Sequence, residues 1–106
     1  MIIDRLVAIE PSTKRGKKLM AVFGTRNGRT LTRHFGAQGH GDYIAYSRVS
    51  AAMAREKRRQ YIARHGRGGE RWDDPTTPGA LSRYLLWEKP TLERAVAAFK
   101  KRFRLP

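Results

Sequence analysis

Apolar positions divide this chain into a strand-like first third and a helical remainder. The run from Met1 to Glu10 is crowded with Ile, Leu and Val, interrupted by Asp4-Arg5, and reads as a strand ending at Pro11-Ser12. Two more apolar and β-branched runs, Leu19 to Thr25 and Thr30 to Phe35, flank Asn27-Gly28, a dipeptide that accepts the positive φ angles of a two-residue type I′ turn. Such a turn pairs Arg26 with Arg29 and Met20 with Phe35. It sets Met20, Val22, Leu31 and Phe35 on the core face, and Thr30, Thr32 and His34 with Leu19, Ala21 and Phe23 on the other.

Beyond the hairpin the period lengthens. Tyr43 to His65 holds neither Pro nor Gly and is rich in Ala, Arg, Lys, Glu, Gln and Met, which predicts one long helix, left open to a split near Ser47 to Ser50, capped by Asp42 and stopped at Gly66. Thr77 is the next N-cap, with Pro78 in the first helical position and an apolar stripe of Leu81, Tyr84 and Leu85 that must end before Pro90. Thr91 caps a last helix in which Leu92, Val96, Phe99 and Phe103 recur at helical spacing, with Glu93 in the first turn and Lys100, Lys101, Arg102 and Arg104 in the last. Trp72 and Trp87 flank the turn Asp73 to Pro78, and two such large aromatics are expected to pack where the hairpin meets the helices.

These elements predict an α+β fold, a small N-terminal antiparallel sheet made of a β-hairpin plus one strand, packed with three to four α-helices. Residues 1–106 are expected to form a single domain, its β part near 1–36 and its helical part near 42–104. At 106 residues and 40% hydrophobic content the chain can bury a modest core.

Charge changes the picture most. Lys and Arg number 23 against 9 Asp and Glu, a formal charge of +14. The excess is spread along the chain, at 8 basic against 2 acidic residues in 1–35, 8 against 3 in 36–71 and 7 against 4 in 72–106. The basic character therefore belongs to the folded body and not to a tail. Such an imbalance repels itself unless a polyanion relieves it, and nucleic acid is the expected partner. No apolar run reaches the length of about 18 residues that suggests a membrane helix, and the first residues lack the succession of a signal peptide, so neither membrane binding nor secretion is expected. The chain has no cysteine, which excludes disulfides and cysteine-ligated zinc.

Several places could meet phosphate. Lys14, Arg15, Lys17 and Lys18 surround Gly16 in a polar linker, and Arg26 and Arg29 stand at the hairpin tip. Arg48, Arg55, Arg58, Arg59 and Arg64 run along the long helix interleaved with Tyr43, Tyr46 and Tyr61, Arg67 follows it, and Arg83, Lys100 and Lys101 lie on the last two helices. Each also has a plainer reading as solvated surface. Gly36, Gly39 and Gly41 lie between a strand and a helix, where backbone N–H groups can cradle phosphate, yet their spacing fits neither the Walker nor the dinucleotide fingerprint and suits a turning connector better. Asp73-Asp74 before Pro75 is a turn signal, and His34, His40 and His65 share no metal-ligand spacing. No metal, cofactor or enzymatic activity is expected.

The segments FGAQGHGDY, YIARH, WDDPTTPGALSRYLLW and KPTLERAVAAFKKRF resemble the signature of a family of small basic proteins, a domain of unknown function, of large double-stranded DNA viruses of algae and protists. The resemblance spans roughly Lys17 to Leu105; the segment Ser47 to Arg55 and the strand-like Met1 to Glu10 depart from it. It brings no activity, cofactor or catalytic residue. It implies a viral setting, in the virion or the infected cell, near genome or particle. The expectation is a non-enzymatic protein that contacts the phosphate backbone of duplex DNA with little sequence specificity; the alternative is a structural virion component, a minor capsid or packaged protein, that binds other virion proteins.

Overall fold

The computed structural model describes residues 2–106. Three strands, β1 (Ile3–Pro11), β2 (Lys17–Thr25) and β3 (Thr30–Ala37), form an antiparallel meander in the order β1-β2-β3. Four helices follow: α1 (Tyr43–Ser47), α2 (Ala51–His65), α3 (Pro78–Leu85) and α4 (Leu92–Arg102). This is the α+β arrangement that the pattern predicts.

The hairpin does not use the two-residue turn. Leu19 pairs with Phe35 and Phe23 with Leu31, one residue away from the expected register. Thr25 N–H donates to Arg29 O and Gly28 N–H to Thr25 O, so the loop holds three residues, and Gly28 takes a φ of +81°. This is a type I turn closed by a left-handed glycine, the commonest three-residue hairpin loop. The Thr25 hydroxyl supports it by accepting from Arg29 N–H and donating to Asn27 Oδ1.

A one-residue slip exchanges the two faces of a strand. Ala21 and Phe23 therefore join Phe35 in the core with Leu19 and Leu31 packed against them, while Met20 and Val22 lie on the opposite side with Thr30, Thr32 and His34. Arg26 and Arg29 are not cross-strand partners. Arg26 is in the loop, and Arg29 lies opposite Thr25.

β1 carries two irregularities, one between Ile3 and Arg5 and one between Leu6 and Ala8. Each inserts an extra residue, Asp4 and then Val7, so the residues facing the core are Ile3, Leu6 and Ile9, three apart instead of two. The bulges also disrupt the ladder of an edge strand, which discourages pairing with another chain.

The four helix starts follow the sequence closely. Asp42 accepts from Ala45 N–H, Ser50 from Met53 N–H, Thr77 from Ala80 N–H and Thr91 from Arg94 N–H. Ser50 begins α2 afresh, which is why the helical stretch breaks in two. Against the sheet, α3 and α4 supply Leu81, Leu85 and Phe99, which are fully buried with Phe23 and Phe35. Phe99 lies 6.5 Å from Phe23 and 4.9 Å from Phe103 between ring centroids.

Trp87 is buried, between Tyr61 at 4.5 Å and Tyr46 at 6.3 Å. Trp72 is only half-buried at the core margin, and its indole N–H has no hydrogen-bond partner among the described residues. Asp74 makes the expected turn by accepting from both the N–H and the hydroxyl of Thr76, while Asp73 remains exposed near Arg71. Those bonds, the backbone one foremost, hold the Asp74 carboxyl below its usual pKa.

Candidate nucleic-acid interface

Helix α2 is unusual in what it buries. Only Ala54 and Tyr61 are buried along its 15 residues. Lys57 and Arg58 are half-buried against aromatic faces, Lys57 over the Tyr46 ring at 5.6 Å and Arg58 over the Tyr43 ring at 4.6 Å, with Arg58 also donating to Glu88 O. Cations on aromatic faces thus replace the apolar stripe that normally docks a helix. The exposed surface of α2 presents Arg55 and Arg59 on one side and, half a turn round from Arg55, Arg64 at the C-terminal end, with Arg48 just before the helix and Arg67 just after.

Glu56 is the sole acid within α2. Two hydrogen bonds from Arg59 and one from Gln60 hold it, and chiefly the Arg59 bond lowers its carboxyl pKa to about 2. The same contact raises the Arg59 guanidinium. Arg55, Arg64, Arg48 and Arg67 have no such partner among the described residues.

The expected cations do not form one patch. Lys14, Arg15 and Lys17 lie at the β1–β2 turn, and Arg26 and Arg29 at the β2–β3 turn, at the opposite end of β2. Three expected contacts are instead part of the architecture. Arg83, expected to be exposed, keeps only 15% of its side-chain area in solvent; it pairs with Glu88 and lies 5.3 Å from both the Trp72 and Tyr84 rings. Lys18 donates to His40 O and to Asp42 Oδ2, both at 2.7 Å, and Arg58 is held as described. Lys18 therefore satisfies the glycine connector from within, consistent with a turn and not a phosphate cradle. Lys100 borders a shallow apolar groove between β1 and α4, and Lys101 is exposed beside it.

At the C-terminal end of α2 the surface folds into a cavity of about 460 Å³. The start of β2, the glycine connector, the end of α2 and the start of α3 all border it, contributing Lys17, Arg64, His65, Glu70, Ser82 and Trp87 among others. His65 stacks on Tyr61 at 4.4 Å and Tyr61 on Trp87 at 4.5 Å, a column of three rings. Glu70 bonds His65 Nδ1 at 3.2 Å and lies against Gly79, where an added Cβ would collide with Glu70 Oε2. Sequence reasoning missed this cavity, because its lining residues come from distant segments. The one available signal was the spacing of Tyr61 and His65, one helical turn apart.

No group of three or more His, Asp or Glu residues that could hold a metal ion converges among the described residues, and no helix among them is long and apolar enough to cross a membrane. Compared with protein-family models, with curated proteins and with solved structures, the chain matches none.

Proposed function

We propose that the protein is a non-enzymatic nucleic-acid-binding protein that lays the outward face of α2 on the sugar-phosphate backbone of duplex DNA. The observation carrying this reading is the division of labour on that helix. Lys57 and Arg58 hold it to the body, while Arg55, Arg59 and Arg64 remain in solvent with one acid among them. A structural helix would not need the second set, since exposed cations contribute little to folding and repel one another in a chain of +14. Released counterions supply the affinity, and contacts to phosphate carry no base information, so low sequence specificity follows.

A salt titration tests it. Random-sequence duplex should shift the protein in a gel at about 50 mM salt and bind roughly five-hundredfold more weakly at about 200 mM if Arg48, Arg55, Arg59, Arg64 and Arg67 each meet a phosphate. Absence of any shift at the lower salt overturns the reading. The viral setting rests on the motif resemblance alone, and the virion-component alternative draws on the apolar groove between β1 and α4. That alternative expects the protein to remain with particles stripped of their genome.

A further inference from the structure

We propose that the cavity at the end of α2 binds a single nucleotide, a terminal or unstacked one of the nucleic acid that α2 contacts, with the base on His65 and the phosphate between Lys17 and Arg64. The inference rests on the nucleic-acid reading above and names the part of the strand that this second site takes.

Three observations converge on it. The first is size. About 460 Å³ lies within the range of small-molecule sites and accommodates one nucleotide. The second is the ring column. Trp87, Tyr61 and His65 stack at 4.5 and 4.4 Å, and no further ring covers His65 among the described residues. Trp87 and Tyr61 are buried, whereas 40% of the His65 side-chain area is in solvent, so the column is closed at one end and open at the other. A nucleobase is the flat partner that extends such a column, as aromatic side chains do for unpaired bases generally.

The third observation is charge. Of the ionised side chains bordering the cavity, Lys18 and Asp42 neutralise each other in a 2.7 Å pair. That leaves Lys17 and Arg64, neither with an ion-pair or hydrogen-bonded side-chain partner among the described residues, against Glu70 alone. Glu70 is occupied on His65, and its bond to Nδ1 orients the imidazole whose free face the base would use. A phosphate supplies the charge that Lys17 and Arg64 lack, and Arg64 belongs to the same helix as the outward cations Arg55 and Arg59, so a strand following that helix leads to this cavity.

The test uses the full chain carrying Trp72→Phe, so that Trp87 fluorescence alone reports the cavity. Titration with deoxyadenosine 5′-monophosphate should give a saturable change, with inorganic phosphate and unphosphorylated deoxyadenosine each binding more weakly. Lys17→Ala and Arg64→Ala should each weaken the mononucleotide by about ten- to a hundredfold, the scale of one charge-assisted hydrogen bond. His65→Ala should weaken it too, and His65→Phe, which keeps a flat ring, should restore most of the loss. No saturable change up to about 10 mM mononucleotide, too weak for a specific site, overturns the proposal. So does phosphate binding as tightly as the mononucleotide, or unchanged affinity in both cation variants with circular dichroism like that of the parent. Duplex that still shifts while the mononucleotide fails removes this cavity and leaves the role of α2 standing.

Discussion

Tyr61 lies almost parallel to Trp87, their planes 10° apart and their centroids at 4.5 Å, so a phenol from α2 closes over the indole that follows α3. Burial pushes the Tyr61 phenol up to about 12, assisted by the Glu70 charge. The folded state then keeps the proton that the unfolded chain releases near pH 10. The stabilisation is full below about pH 10 and is lost as pH rises towards 12. Tyrosinate absorbance should show one residue titrating near pH 12 that is missing from Tyr61→Phe, and Tyr61→Phe should flatten the loss of stability in that window.

Trp87→Ala should cost about 3–5 kcal/mol in urea unfolding, as removal of a buried large aromatic does. Trp72→Phe should stay within about 1 kcal/mol of the parent, because it deletes an indole N–H that has no partner. A Trp87→Ala protein as stable as the parent would mean that the ring column does not hold α2 to the body.

Arginines should sort by position in a salt titration. Arg55→Ala should weaken duplex binding and reduce the log-log salt slope by about 0.9, one phosphate contact. Glu56→Gln should strengthen binding by releasing Arg59. Arg83→Ala should leave the slope unchanged and cost about 1–3 kcal/mol of stability, since Glu88 would lose its partner beneath Trp72 and Tyr84. An Arg83→Ala variant with a reduced slope and unchanged stability would return that residue to the interface.

Two glycines separate backbone strain from crowding. Gly28 has a φ of +81° with nothing within 4 Å of an added Cβ, so Gly28→Ala should cost about 1 kcal/mol, the left-handed penalty alone. Gly36 has a φ of +79°, and its Cβ would lie 2.8 Å from Leu86 Cδ1. Gly36→Ala should therefore unfold at distinctly lower urea than Gly28→Ala.

The helical half was legible because its signals are local. Asp42, Thr77 with Pro78, and Thr91 each announce a helix start within four residues, and each caps as expected. The sheet was legible in outline and not in register. Asn27-Gly28 fits two turn types that differ by one residue, and the buried Phe23 decides between them only once α4 brings Phe99 against it. In β1 the spacing of Ile3, Leu6 and Ile9 hides the strand period, because two bulges stretch it. The candidate interface was the least legible part. Exposed and structural cations look alike in a sequence, and what separates Arg83 from Arg55 is a carboxylate and two rings that the fold brings to one of them.

The sheet also sets a length. Its two basic turns, Lys14 to Lys17 and Arg26 to Arg29, are joined by β2, whose nine residues extend about 30 Å at roughly 3.3 Å each. At about 3.4 Å per base pair that span equals some eight or nine steps of B-form duplex. On the proposed reading, a duplex shorter than about eight base pairs would meet one turn and not the other, so β2 would set the smallest footprint that engages both.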